Sequence, residues 1–209
     1  MRQFLQYGDT YLIGSRNLNS VILVNKDGDT IWVLGGKNNQ FEDLSDGRAL
    51  NFALQHMPRF KGKNHLTLFD DHVESNAVGC ETDCSRGIEL ELDFEDFTAK
   101  LVHEYYHPIG LQSIGRGGFT ALKNGNALIA WGTQPAITEH KGDKLVMDIQ
   151  IGRLVNGFVP GANAPYRAFR MDWHGKPTWC PSIAVDLPSV FVSWNGATEL
   201  NRWVVVSLP

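Results

Sequence analysis

The 209-residue chain is short of cysteine, has no strong excess of either charge and contains no long apolar run. No segment approaches the roughly 20 consecutive apolar residues of a membrane-spanning helix, so we expect no membrane span. The N-terminal segment MRQFLQYGDTYLIGS lacks the continuous apolar core of a secretory signal peptide. A net charge of −4 gives no basic surface for phosphates, which argues against nucleic acid as a partner.

The three cysteines leave two alternatives open. Cys80 and Cys84 stand close together in CETDCS, and Cys180 stands alone in TWCPS. The nearest histidines do not complete a zinc-like spacing with them, so we predict no metal site. The thiols are either free or joined in one small local disulfide, which an oxidising compartment would favour.

What the chain does contain is a succession of short segments rich in β-branched and aromatic residues, which predicts an all-β fold. Asp27-Gly28 lies between two such segments and is a strong hairpin signal. IELELDF (residues 88–94) alternates apolar and acidic residues, as a strand with one buried face does. The best helical candidate, LSDGRALNFALQH (residues 44–56), is short and interrupted by Gly47. Predicted strands near the C-terminus include YRAFRMDW (residues 166–173), SVFVSWNG (residues 189–196) and ELNRWVVVS (residues 199–207).

A weak internal repeat narrows the all-β class to a β-propeller. The segments YGDTYLIGSRN, KNGNALIAWGTQ and LPSVFVSWNGAT each combine a short β-run with a polar or glycine-containing step. Recurrence at this spacing is typical of propeller blades. We predict about four blade-like units in a single domain over residues 1–209, and four is the low end for a closed ring.

Several longer segments occur in an order that resembles a known family. They include YLIGSRNLNSVILVNKDGDTIWVLGG, FALQHMPRF, NGNALIAWGTQP, YRAFRMDW and VFVSWNGATELNRW. This set is similar to the fungal branch of the arylsulfotransferases, which are related to the bacterial aryl-sulfate sulfotransferases that work without PAPS. The resemblance implies a propeller of six blades and no nucleotide cofactor. It also implies transfer of a sulfuryl group from a phenolic sulfate ester to a phenol, by a ping-pong mechanism through a sulfated histidine, in an extracellular or secretory setting.

The resemblance also implies roles for three residues. His56, in the step Gln55-His56, matches the sulfate-accepting histidine, and Arg16, after Ser15, matches a catalytic arginine. Arg167 matches an arginine that would help to bind the substrate. The residue types suit the chemistry, because imidazole is largely neutral near pH 7 and can attack sulfur. The planar guanidinium of arginine stays charged and matches an oxyanion with two hydrogen bonds.

Each of these residues also has a purely structural interpretation. His56 follows an apolar run and could be a hydrogen-bonded core residue, and either arginine could serve in packing or ion pairing. The family's His-x-Asn motif, expected before Ser15-Arg16, is absent, and so is the histidine that would protonate the leaving phenolate. We therefore expect the central and later part of a larger propeller, truncated at both ends, which would self-associate if its ring is open. The alternative function is a non-catalytic propeller used for binding or as a scaffold.

Overall fold

A computed structural model describes residues 9–73, 75, 77–157, 164–204 and 206. The described residues form strands and loops with no α-helix, so the predicted all-β class is confirmed. None of them forms a helix long and apolar enough to cross a membrane. The chain divides into two compact units, Met1–Phe169 and Arg170–Pro209. The single domain over residues 1–209 and the count of four blades stay predictions.

Sixteen strands are described. They are β1 (Thr10–Ser15), β2 (Ser20–Asn25), β3 (Thr30–Leu34), β4 (Glu42–Asp43), β5 (His56–Lys61), β6 (His65–Asp70), β7 (Ala77–Val78), β8 (Arg86–Asp93), β9 (Thr98–Tyr106), β10 (Leu111–Gln112), β11 (Gly118–Ala121), β12 (Ala127–Ala130), β13 (Ala136–Lys141), β14 (Lys144–Gln150), β15 (Ser182–Asp186) and β16 (Ser189–Ser193).

The first unit contains three sheets whose strands mostly follow one another along the chain, as in propeller blades. Their orders are β1-β2-β3, β4-β9-β8-β6-β5 and β11-β12-β13-β14, and β7 pairs with β10 in a small ribbon. The predicted turn at Asp27-Gly28 joins β2 to β3, and Gly28 adopts a φ of 91° that suits glycine. These sheets are consistent with a propeller-like arrangement.

One apolar core lies on each face of the five-stranded sheet. Leu66 and Leu68 on β6 join a cluster with Trp32 of the first sheet. Phe69, which points to the opposite face, joins a second cluster with Trp131 and Phe119. Because side chains alternate along a strand, β6 contributes to both cores at once.

The second unit contains one described hairpin, β15–β16. The strand expected over residues 166–173 was wrong, because this segment forms a bend followed by coil and pairs with no other strand. The strand expected over 199–207 is also not formed in its described part, residues 199–204 and 206. In contrast, the sequence did not predict β5, β15 or the two-residue strands β4, β7 and β10.

The structure resolves the two alternatives for the cysteines. Cys80 and Cys84 form a disulfide, and Cys180 is a free, exposed thiol. The loop closed by this disulfide packs against Gly110, whose carbonyl accepts the backbone N–H of Cys80. A Cβ on Gly110 would overlap the Cys80 carbonyl, so only glycine allows this approach.

Candidate functional site

His56 lies at the start of β5, the edge strand of the five-stranded sheet, opposite Phe69 of β6. The register shifts between His56 and Arg59, and Met57 within this bulge has a φ of 52°. Pro58 cannot donate a ladder hydrogen bond, which suits a bulge on an edge strand. The sequence Met57-Pro58 therefore interrupts the ladder directly after His56, and a bulge at this point turns the neighbouring side chain out of the regular alternation.

The turn that carries Arg16 is tied to the residues before His56. Arg16 begins a short 3₁₀ turn that follows β1. The buried side chain of Gln55 donates to the carbonyls of Ser15 and Ser20 over 3.1 Å and 2.7 Å. On the other side, the backbone N–H of Leu54 donates to the side chain of Asn19 over 2.9 Å. The Ser15-Arg16 and Gln55-His56 steps are thus held together by hydrogen bonds from both ends of the turn.

A loop from Ile114 to Arg116 contacts both predicted catalytic residues. Arg16 Nη2 donates to the carbonyl oxygen of Ile114 over 2.9 Å. Two residues later, the backbone N–H of Arg116 donates to His56 Nε2 over 3.0 Å. The side chain of Thr133 accepts the N–H of Ile114 and anchors this loop. The structure therefore brings Arg16 and His56 to the same short segment, and their catalytic roles stay predictions.

A buried carboxyl group lies behind the histidine. Asp71 is 0% exposed, and its Oδ2 lies 3.2 Å from His56 Nε2. In the described part of the chain, neither oxygen of Asp71 has a directed hydrogen bond. Burial raises the pKa of Asp71 to about 6, although His56 and the charge of Arg16 act to lower it. A buried carboxyl group without a directed hydrogen bond is costly to the fold, and such costs concentrate at functional sites.

Backbone strain also concentrates around His56. Non-glycine residues rarely adopt positive φ, and doing so costs roughly 1–3 kcal/mol each. The residues with positive φ that flank or contact the site are Asn19, Leu54, Met57, His72 and Arg116. Strain that the surrounding structure maintains at one place supports a functional role for that place.

No described contact joins Arg167 to His56, Arg16 or Asp71. Its side chain is exposed, and the guanidinium carbon lies 5.0 Å from the ring centroid of Tyr166. Within the described ranges no hydrogen bond or ion pair joins Arg167 to His56. Its predicted part in substrate binding stays a prediction.

A cavity of about 550 Å³ lies beside the disulfide loop, and its described lining includes neither His56 nor Arg16. Arg86 lines it but donates to Asp70 and Glu104, each over 2.9 Å. Arg48, also in the lining, is paired with Glu104. Because carboxylates neutralise these two cations, the cavity offers a weaker site for a sulfate group than the surroundings of His56 and Arg16. Among the described residues no cluster of His, Cys, Asp and Glu suits a metal ion.

Sequence reasoning missed Asp71 and the Ile114–Arg116 loop. The only signal for Asp71 was a pair of acidic residues, Asp70 and Asp71, directly after the apolar strand HLTLF. The loop SIGRGG carries glycines, but its contact with His56 spans 60 positions of sequence, which a local pattern does not reveal.

The family of the chain follows from a comparison with protein-family models. The model for arylsulfotransferase (ASST) matches residues 5–152, which is more than half of the chain. Arg16, His56, Asp71 and the Ile114–Arg116 loop lie inside the matched range, whereas Arg167 lies outside it. No curated protein matched the sequence. On the strength of the family match, the chain belongs to the arylsulfotransferase family.

Proposed function

We propose that this chain transfers a sulfuryl group from a phenolic sulfate ester to a phenol through a sulfated His56. The observation that carries the proposal is that one short loop contacts both residues. Its Ile114 carbonyl accepts a hydrogen bond from Arg16, and its Arg116 N–H donates one to His56. Membership of the arylsulfotransferase family supports the substrate class. The predicted membership of the fungal branch is part of this proposal.

The chemistry needs a nucleophile and a cation beside it. In the first half-reaction a nitrogen of His56 bonds to sulfur, the bond from sulfur to the aryl oxygen breaks, and the phenolate leaves. Arg16 would hold the non-bridging oxygens, on which negative charge accumulates in the transition state. In the second half-reaction an acceptor phenolate takes the sulfuryl group from His56. This order of events gives ping-pong kinetics.

The test is release of 4-nitrophenol from 4-nitrophenyl sulfate in the presence of added phenol. We expect wild-type turnover, a mass increase of one sulfuryl group on His56 when the acceptor is omitted, and loss of both in His56→Gln. We expect Arg16→Gln to lower kcat by about 10²–10³-fold, as removal of one charge-stabilising donor does. His174→Gln is the matched control, because the His174 side chain is 80% exposed.

The outcome that would contradict the proposal is absence of both turnover and sulfated His56 in folded protein. If the protein then still binds 4-nitrophenyl sulfate, the alternative of a non-catalytic binding propeller is supported.

The variant Arg167→Gln distinguishes the role of Arg167 from that of Arg16. A rise in KM with unchanged kcat would support substrate binding by Arg167, and no change would remove it from the site.

We also infer that the protein works in the secretory pathway or outside the cell. The disulfide between Cys80 and Cys84 supports this, because such bonds persist mainly in oxidising compartments.

A further inference from the structure

The imidazole of His56 faces two groups that compete for one nitrogen. The N–H of Arg116 donates to Nε2 over 3.0 Å, and Asp71 Oδ2 lies 3.2 Å from the same atom. A neutral imidazole nitrogen holds either a lone pair or a proton. The Arg116 contact requires a lone pair on Nε2, whereas an ionised Asp71 favours a proton there.

The other nitrogen, Nδ1, is in a different position. Nδ1 has no hydrogen-bond partner among the described residues. It is also absent from the buried polar atoms of those residues that lack a partner, so it is not closed off from solvent. The His56 side chain is 25% exposed, whereas Asp71 on the Nε2 side is 0% exposed. A substrate can therefore approach Nδ1 more readily than Nε2.

We propose that Asp71 is a positioning residue that selects the reactive tautomer of His56, with Nδ1 as the attacking nitrogen. Ionised Asp71 accepts the proton of Nε2, which leaves the lone pair on Nδ1. When Asp71 is neutral, Nε2 accepts the N–H of Arg116 instead, and the proton on Nδ1 blocks attack. The attack through Nδ1 rests on the proposed function, in which His56 is the nucleophile.

The proton and the electron pairs balance through the full cycle. Nδ1 forms a bond to sulfur, and the electron pair of the broken bond leaves with the phenolate. The Nε2 proton passes to Asp71, so that sulfated His56 is a neutral ring and Asp71 is a neutral acid. When an acceptor phenolate takes the sulfuryl group, the proton returns to Nε2 and Asp71 is ionised again.

The neighbouring Asp70 shows why this role falls to Asp71. Asp70 accepts the N–H of Ala53 and the Nε–H of Arg86, each over 2.9 Å, and these two bonds commit its side chain to a structural task. The charged groups that act on Asp71 are His56 on β5, Arg16 on the turn after β1, and Asp70 on β6. With burial as the largest influence, the pKa of Asp71 is raised to about 6, so Asp71 is mostly ionised at neutral pH.

The first experiment observes the tautomer directly, without turnover. Protein with ¹⁵N-labelled histidines is examined near pH 8 by long-range ¹H–¹⁵N correlation NMR. The imidazole signals of His56 are identified as those that disappear in His56→Gln. We expect the Nε2–H form in wild type and the Nδ1–H form in Asp71→Asn, where Nε2 accepts the Arg116 N–H. Asp83→Asn is the control, because the Asp83 side chain is 63% exposed and pairs with His72 instead.

An Nδ1–H form in wild type near pH 8, or the same tautomer in wild type and Asp71→Asn, would overturn the proposal. If Asp71→Asn does not fold, the wild-type spectrum alone tests the proposal.

The second experiment locates the sulfuryl group on enzyme treated with 4-nitrophenyl sulfate, and we expect it on Nδ1 of His56. Sulfation of Nε2 would overturn the assignment of the attacking nitrogen.

The two proposals fail in different ways. In the Ser-His-Asp triad, where histidine is a general base, an Asp-to-Asn change that favours the wrong tautomer lowers kcat by about 10⁴-fold, and we expect a fall of at least about 10²-fold here. Turnover with an unchanged rate in folded Asp71→Asn contradicts the role of Asp71 and leaves the function intact. If wild type shows the Nε2–H form but no turnover, the proposed sulfuryl transfer and the attack through Nδ1 are both contradicted. Selection of the tautomer by Asp71 then still stands.

Discussion

At the scale of single residues, the adjacent carboxyls Asp70 and Asp71 have opposite environments. Both are fully buried at the end of β6. Asp70 is paired with Arg86 and accepts a backbone N–H, whereas Asp71 has His56 nearby but no directed hydrogen bond among the described residues. The fold therefore carries an energetic cost at Asp71 that a purely structural carboxyl would avoid.

This cost predicts a pH-dependent gain in stability for Asp71→Asn. Because the pKa of Asp71 is raised from 3.8 to about 6, the native state binds its proton more tightly than the unfolded chain. Wild-type stability should therefore fall as pH rises through this window, and the full penalty applies above it. Near pH 8, Asp71→Asn should raise the free energy of unfolding by roughly 2–3 kcal/mol, with little gain below about pH 4.

Urea denaturation of both proteins at the two pH values measures this difference. Asp83→Asn, at an exposed site, controls for the loss of one negative charge. Equal stability of wild type and Asp71→Asn near pH 8 would show that Asp71 is not an energetic burden.

At the scale of elements, the segment around His56 shows why local patterns were insufficient. The residues 44–56 have a partial helical pattern, yet they form turns and coil, and His56 opens β5. This strand lies between close neighbours on other sheets. A Cβ on Gly14 of β1 would lie 3.0 Å from the Pro58 ring, and one on Gly118 of β11 would overlap Met57. Tertiary packing against these glycines, rather than intrinsic propensity, therefore determines the conformation at β5.

The turn that carries Arg16 predicts a second effect at this scale. Gly36 has a φ of 67°, and a Cβ there would overlap the carbonyl oxygen of Leu18 inside the turn. Gly36→Ala should lower the free energy of unfolding by about 2–3 kcal/mol, from backbone strain plus this clash. Because the turn that carries Arg16 must shift, we also expect kcat for 4-nitrophenyl sulfate to fall by up to about 10²-fold, as misplacement of a catalytic group does.

Gly28→Ala is the matched control for this change. Gly28 also has a positive φ, of 91°, but its Cβ would meet no atom within 4 Å. It should cost about 1–2 kcal/mol from strain alone and leave kcat unchanged. Equal effects of the two substitutions on kcat would contradict the link between Gly36 and the Arg16 turn.

At the scale of the whole molecule, the two units differ in how they bury apolar side chains. The unit Met1–Phe169 contains two buried clusters centred on Trp32 and Trp131. In the unit Arg170–Pro209, apolar side chains of the β15–β16 hairpin are largely exposed, with Ile183 at 70%, Val185 at 63% and Phe191 at 59%. Exposed apolar surface of this kind favours association.

Beyond the association expected of an open ring, we therefore predict that the protein self-associates through this hairpin. Size-exclusion chromatography with light scattering should show a mass that increases with protein concentration. The double variant Val185→Lys/Phe191→Lys should shift the equilibrium towards the monomer, whereas Lys176→Glu, outside the hairpin, should not. A wild-type mass equal to one chain at every concentration would contradict this prediction.

The sequence by itself determined the all-β class, the longer strands of the first unit other than β5, the hairpin at Asp27-Gly28 and the choice of His56 and Arg16 as candidates, and its family match shows membership of the arylsulfotransferase family. These features rest on short-range alternation, turn chemistry and ordered motifs, all of which are local in the chain. Only the tertiary structure placed Asp71 behind His56, placed the N–H of Arg116 on Nε2 and left residues 166–173 without a strand partner. Those outcomes depend on contacts between distant segments and on burial, which no local pattern specifies.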